Sequence, residues 1–313
     1  MATTSTDTYD QVGIKEDLAD TIWDVTPEET PFASNCSRVS VDNTHFEWQT
    51  DSLAAVSATT AVEGADASFS AAAATTRVGN RTEIISKTAS TSGTLEATDR
   101  AGRAKEMAYQ VIKRGKEIKR DLEHHLVGIH QARVVGDATT ARKTASYACW
   151  TATNDSFGAT GSSCTGDGTD PPTVGTARSF TETLLGTVID SIYNAGGNPD
   201  VIMCASANKR ILTGFSGNSS EQNLKVEGKT IINAVSLYVS DYNTIKVVPN
   251  RFLKTTDVLV YETGYWKLGV LRGMQNKEIA ATGDAEKRQV LQECGLMAAN
   301  EASSGIILSL DGT

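Results

Sequence analysis

Between Phe46 and Ser90 the chain switches from strand-like runs to an almost featureless tract and back. FEWQTDSL (Phe46–Leu53) and RTEIISKTAS (Arg81–Ser90) interleave aromatic and β-branched residues with polar ones, which predicts strands. Leu53–Thr76 between them is almost wholly Ala, Ser, Thr and Gly with scattered acids, and can bury little apolar surface of its own. Loops longer than about 12–15 residues are uncommon inside compact domains, so the tract predicts an extended arm. From Leu95 to about Val135 the period changes. Ala104, Ala108, Val111, Gly115, Ile118, Leu122, Leu126 and Ile129 recur three and four apart. Arg103, Lys113, Arg114, Lys116, Glu117, Lys119 and Arg120 fall largely off that stripe. Some 35–40 residues of helix would span about 50–60 Å. Gly115 in its middle marks a bend or a close approach.

Upstream, Met1–Ser40 reads as polar, with a short helical piece at Ile14–Trp23 ending before TPEETPF (Thr26–Phe32), where Thr26 and Glu29 have capping-box spacing. Two readings stay open for it, a helix packed on the body and an arm reaching a neighbouring subunit. Downstream, Asp137–Asp170 is rich in Gly, Ser and Thr and reads as loops. Ser179 and Glu182 form a second capping-box candidate ahead of a helical stripe, Leu184, Leu185, Val188, Ile189, Ile192 and Tyr193, that stops at Gly196–Gly197. VIMCA (Val201–Ala205) reads as a strand buried on both faces, and Ser206 as the cap of a helix through Leu212. The remainder is strand-like: Ile232–Ser240, Ile245–Pro249, Val258–Glu262, Tyr265–Leu271 and Arg288–Ala298. The order is an α+β one, a helix-bearing lobe followed by sheet.

Composition narrows the function. The formal net charge of −9 argues against a surface that grips nucleic acid, which concentrates Lys and Arg on one face. Five cysteines, Cys36, Cys149, Cys164, Cys204 and Cys294, are widely spaced without a CxxC pair, and read as reduced thiols of a cytoplasmic product. Met1–Gln11 lacks the apolar run of a signal peptide, and no stretch approaches the roughly 18 apolar residues of a membrane span.

Candidate chemistry is sparse. His124 and His130 fall about 240° apart on a helix, so they cannot converge on one ion, and they read with His125 as exposed helix histidines. GDGTD (Gly166–Asp170) lacks the alternating acids and terminal Glu of a calcium loop and reads as a turn. The chain has no GxxxxGK[ST], no GxGxxG after a strand and no GxSxG. No catalytic, cofactor-binding or metal-binding residue is expected, and no cofactor.

Blocks along nearly the whole chain carry a resemblance: TPEETPF, EWQTDSLA (Glu47–Ala54), GNRTEIISKTASTSGT (Gly79–Thr94), KEIKRDLEHHL (Lys116–Leu126), SDYNTIKVVPNRF (Ser240–Phe252), WKLGVLR (Trp266–Arg272), ATGDAEKRQVLQE (Ala281–Glu293) and ANEASSGII (Ala299–Ile307). With arm, hairpin, spine helix, α/β insertion and closing sheet in this order, the chain resembles the major capsid proteins of tailed bacteriophages of the Hong Kong 97 type. The resemblance implies an N-terminal arm at 1–44, an extended hairpin or E-loop at 45–92 lying over an adjacent subunit, and the spine helix of a P-domain at 93–136. It further implies an axial A-domain at 137–249 and P-domain strands with the C-terminal return at 250–313. It implies self-assembly through pentamers and hexamers into an icosahedral shell that encloses phage DNA without sequence-specific binding. Such a subunit is made in the host bacterial cytoplasm and resides in the virion, away from any membrane. Decoration, scaffolding and portal proteins are further candidate partners. Candidate intersubunit contacts are Trp48, Glu63, Asp66, Phe69, Arg77 and Arg81. The type member joins an E-loop Lys to a neighbour's Asn, and this chain has no Lys between Lys15 and Lys87, so such cross-links are not expected. The rival readings are an encapsulin shell from the same fold and, from other classes, a soluble enzyme or a surface-array protein.

Overall fold

Helix α1 (Pro31–Asn35) starts at a proline, whose fixed φ suits a first turn, and leads into β1 (Ser37–Ser40). Strands β2 (His45–Thr50) and β3 (Thr76–Arg81) form an antiparallel hairpin, followed by β4 (Glu83–Ser92), α2 (Gly93–Ala97) and α3 (Glu106–Glu123). A single wider π turn, His124–Gly128, continues α3. After β5 (Asp155–Ser156) come α4 (Glu182–Asn194), β6 (Val201–Cys204), α5 (Ser206–Thr213), β7 (Leu237–Val239), β8 (Thr244–Pro249) and β9 (Val258–Tyr261). The chain closes with β10 (Trp266–Ile279), β11 (Ala285–Ala298) and β12 (Gly305–Ile307). This computed structural model describes residues 26–66, 69, 71, 73–99, 102, 104–215 and 237–312.

Two larger sheets organise the body. One has strand order β1-β10-β11-β4, the other β5-β12-β9-β6-β8-β7. The six-stranded sheet is covered on both sides, which is why β6 and β9 are apolar at every position. Side chains alternate across a strand. Met203, Leu259, Tyr261 and Ile306 therefore join a core with Phe32, Ile118, Leu126, Tyr147, Trp150 and Trp266. Ile202, Cys204, Val258, Val260 and Ile307 face the opposite way, onto Leu185, Val188, Ile189 and Ile192 of α4 and Leu212 of α5. Full burial of such a side chain stabilises by about 1.5–3 kcal/mol. Strands β10 and β11 are longer than either core requires. Their inner halves are buried, while β10 beyond Gly273 projects as an exposed ribbon.

Several expectations shift. The helix read over Leu95–Val135 is two helices, because Thr98, Asp99 and a left-handed Gly102 (φ +80°) interrupt it. Glu96 of α2 accepts from the backbone N–H of Glu106 (3.2 Å) and Met107 (3.4 Å), capping α3 with a carboxylate. With its π turn α3 spans about 35 Å. No close approach requires Gly115: a Cβ there would make only an ordinary van der Waals contact, 3.6 Å from the Met274 sulfur of β10. RTEIISKTAS does not return along FEWQTDSL. Arg81 closes β3 opposite His45, and Glu83–Ser92 pairs with β11. Neither capping box forms as read. Thr30 stands at the start of α1 without a side-chain cap, and Thr181 rather than Ser179 caps α4, accepting from Leu184 N–H at 3.3 Å. Ser206 opens α5 from inside, with Ala205 at its cap position. Of the three histidines only His124 is exposed. His125 Nδ1 lies 2.8 Å from Glu83, and His130, beyond the helix end, lies 2.6 Å from Asp257 with its side chain 9% exposed. GDGTD is a turn, held by Asp167 and Asp170 accepting from Thr165 and Thr169. The segments Ile14–Trp23 and Ile232–Ser236 lie outside the described residues.

Candidate functional site

The hairpin consists of a base built into the body and a tip built into nothing. In the base, Phe46 packs where two glycines, Gly269 of β10 and Gly295 of β11, sit directly opposite one another. A Cβ on Gly295 would come within 2.8 Å of the Phe46 ring and 2.5 Å of the Arg81 carbonyl, so only glycine leaves room for the seat. Trp48 stacks on Phe46 at 5.9 Å and meets Trp150 at 5.3 Å, tying β2 to the main core. Asn80, opposite Phe46 in β3, is fully buried. Its amide donates to Thr144 Oγ1 (3.0 Å) and the Leu296 carbonyl (2.6 Å), and its oxygen accepts from Ala145 N–H (3.0 Å) and Arg81 N–H (2.8 Å). Every polar valence of that side chain is used, the condition under which a buried amide stabilises. Arg133 donates to the Gly79 carbonyl.

Buried carboxylates brace the surroundings. Glu83 accepts from Gln131 Nε2 and Thr144 N–H at 3.2 Å each, beside His125. The hydrogen bond and charge of Glu83 push the His125 pKa up, with burial opposing. Glu293 receives Arg142 (2.5 Å), Arg272 (2.7 Å) and Thr82 Oγ1 (3.0 Å) at the point where β10 bulges. Glu123, at the end of α3, accepts from Phe32 N–H and Ala33 N–H (2.8 Å each) and Asn250 Nδ2 (2.6 Å). This fixes α1 to the spine helix and to the loop after β8. Burial raises its pKa and these three bonds oppose the rise. The five cysteines are free and buried, and burial pushes Cys149 up to about 11 and Cys164, Cys204 and Cys294 up to about 12. A thiol so shifted is a poor nucleophile.

Apart from Thr75 Oγ1 at its foot, which donates to Gln49 Oε1 of β2 (3.1 Å), the tip, residues 51–75, makes only local hydrogen bonds among its described residues, such as Ala65 N–H to the Val62 carbonyl across a left-handed Gly64. Its large apolar side chains stand in solvent: Leu53 is 99% exposed, Val62 81% and Phe69 96%, and Val56 is fully exposed. Of the sequence-predicted contact residues, Glu63, Asp66 and Phe69 lie on this exposed tip. Arg77 is engaged within the hairpin, 3.2 Å from Glu47, and Arg81 and Trp48 belong to the half-buried base. The geometry therefore splits the six into three tip residues and three base residues. Asn80, Gly269 and Gly295 escaped sequence reasoning, although an Asn beside Gly79 inside a strand-like run was a legible signal of close backbone approach. Among the described residues no cluster of His, Cys, Asp and Glu is arranged to hold a metal ion, and no helix is long and apolar enough to cross a membrane.

The sequence profile of the SU10 major capsid proteins matches residues 2–311. The chain belongs to the SU10 major capsid protein family. A major capsid protein of Escherichia phage Phieco32 is 31% identical over an alignment covering 97% of this chain and 96% of that one. Solved phage capsids share the fold of this SU10-family subunit at much lower identity. The cyanophage A-1(L) capsid superposes with a TM-score of 0.69 at 11% identity, covering 97% of this chain and 98% of that one. The capsid of a native GTA particle gives 0.63 at 12% identity, covering 95% of each chain, and a chain from Gordonia phage Cozz 0.63 at 11%, covering 98% and 96%. The α+β fold is thus of the Hong Kong 97 type, and the chain is a tailed-phage major capsid protein, a structural component of the virion.

Proposed function

We propose that this capsid protein assembles with copies of itself, as pentamers and hexamers, into an icosahedral shell around phage DNA, and that residues 51–75 are the arm that holds neighbouring subunits together. The observation that carries the arm reading is the exposure of Leu53, Val56, Val62 and Phe69 on a tip whose base is rigidly seated. Apolar side chains held out on a small-residue strap are of use only when another surface covers them. Residues 1–44 serve as the N-terminal segment, 45–92 as the hairpin with the strand that follows it, and 93–136 with 250–313 as the P-domain. Residues 137–249 are the A-domain at the capsomer centre. Trp48, Arg77 and Arg81 act by aiming the tip, and Glu63, Asp66 and Phe69 by touching the neighbour. Many weak contacts then sum through repetition. The subunit's work is architectural, without catalysis of its own, and its acidic charge suits a container whose DNA slides freely within. Portal, scaffolding and decoration proteins are its further partners. Membership of a phage capsid family favours this reading over an encapsulin. Electron microscopy and light scattering of the purified protein test it. Closed shells, or capsomers of five and six, are expected, and a compact monomer at high concentration would overturn it.

A further inference from the structure

The net charge of −9 hides a segregation of charge that only the folded chain displays. On α3, Lys113, Lys116 and Arg120 fall within about 60° of one another at about 100° per residue, and Lys119 widens the row to about 120°. The three lysines are exposed and Arg120 is half-buried, its guanidinium 5.5 Å from the centre of the Phe252 ring, which brings the exposed Arg251 alongside. The carboxylates of the same helix are engaged elsewhere. Glu117 pairs with Arg114 and Asp121 with Lys87, at 2.7 Å each, while Glu106 accepts from Gln110 and Glu123 from the amides of α1. One acid reaches the row, Glu28 at 2.5 Å from Lys116. Among the described residues no carboxylate lies within ion-pair distance of Lys113, Lys119, Arg120 or Arg251.

The shape of this face selects among anions. Lys113, Lys116 and Arg120 stand on the crest of the helix and line neither of the grooves on its flanks. A single carboxylate or a small anion is held by donors that converge on it, and here the donors splay along a convex rod. A row of long, mobile cationic side chains spread over about 10 Å instead matches a polyanion whose own charges are closely spaced. Double-stranded DNA carries one about every 1.7 Å of its axis.

Resting on the reading of the subunit as part of a shell around phage DNA, we infer that this face of α3 is turned to the lumen and binds the phosphate backbone of the packaged duplex. Contacts to phosphate carry no sequence information and exchange with salt, so the DNA is held near the wall and still slides along it. Each copy of the chain repeats the row, and weak contacts of this kind sum over a shell. The acidic remainder of the surface repels the same polyanion, which confines adhesion to the helix.

The test measures binding of the purified full chain to a mixed-sequence DNA duplex by fluorescence anisotropy at several salt concentrations. Four to five phosphate contacts give a slope of log affinity against log salt of about −4, so binding should be roughly 200-fold weaker at 200 mM than at 50 mM salt. Lys113→Gln with Lys119→Gln should flatten the slope by about 2, and Lys113→Arg with Lys119→Arg should restore it. Lys246→Gln with Lys277→Gln, at exposed positions off the helix, should leave it unchanged. Equal slopes from the two glutamine pairs would overturn the inference. Tighter binding of poly-glutamate than of DNA at equal charge would do the same, making an acidic protein the occupant. Amine acylation of DNA-filled and emptied particles then places the face. Lys113 and Lys119 should be protected in filled particles alone; reactivity in both would put the row outside, protection in both would put it under a neighbouring subunit, and either result would overturn the inference. The binding measurement needs no particles. A chain that forms no shells therefore removes the shell reading, while the slope still decides whether this face binds phosphate.

Discussion

The base and the tip of one hairpin, joined by a few residues, follow different physical rules. At the base, Phe46 fills the space above two opposed glycines, Trp48 reaches Trp150, and Asn80 satisfies four hydrogen bonds. At the tip, Leu53, Val56 and Phe69 are almost as exposed as in an extended chain. Residues of the base are placed by the subunit's own core, and residues of the tip are left for a surface the single chain lacks. The contrast shows where folding information ends along the sequence and assembly information begins.

The comparison breaks most readily at Asn80. Asn80→Ala strips partners from Ala145 N–H, Thr144 Oγ1 and the Leu296 carbonyl together, and unsatisfied buried groups cost about 1–3 kcal/mol each before relaxation. A loss of about 3 kcal/mol in denaturant unfolding is expected, and an unchanged midpoint would mean that the base is not seated as described. Next comes Gly295→Ala, where the new carbon meets backbone as well as the Phe46 ring. Overpacking of this kind costs about 1–3 kcal/mol. Gly273→Ala, with nothing within 4 Å, should be silent by the same assay.

A smaller effect concerns pH. Glu83 raises the His125 pKa above that of the unfolded chain. The stabilisation it brings is therefore fully present below about pH 6.5 and is lost as pH rises through the higher folded-state value. With the His125 side chain 34% exposed, screening limits the effect to below about 1 kcal/mol. Thermal unfolding of wild type and His125→Gln should differ in mildly acidic buffer and converge in alkaline buffer; a gap that widens with rising pH would contradict the assignment. Smallest of all is Phe69→Ala, which should move subunit stability by less than about 0.5 kcal/mol while weakening assembly.

Much of this contrast was legible in the sequence, and the reasons differ by element. The Ala, Ser and Thr tract announced the tip because its composition cannot build a core, and VIMC announced a strand buried on both faces because all four positions are apolar. Strand β3 stayed hidden behind Gly79 and Asn80, weak strand formers used here for close approach and hydrogen bonding. Glu123 also stayed hidden. A carboxylate on a charged helix reads as solvated, and the amides that hold it lie about 90 residues earlier in the chain. His125 and His130 were misread for the same reason, their acidic partners being distant in sequence. Local periodicity recorded which faces are apolar, and only the folded chain records which polar groups meet.

Replacing Ala55–Thr75 with a short Gly-containing turn tests the division between base and tip most directly, with subunit unfolding and particle formation measured on the same preparation. The unfolding midpoint and circular dichroism should stay close to those of the intact subunit while closed shells disappear. Normal shells from the shortened chain, or a subunit that no longer folds, would contradict the account.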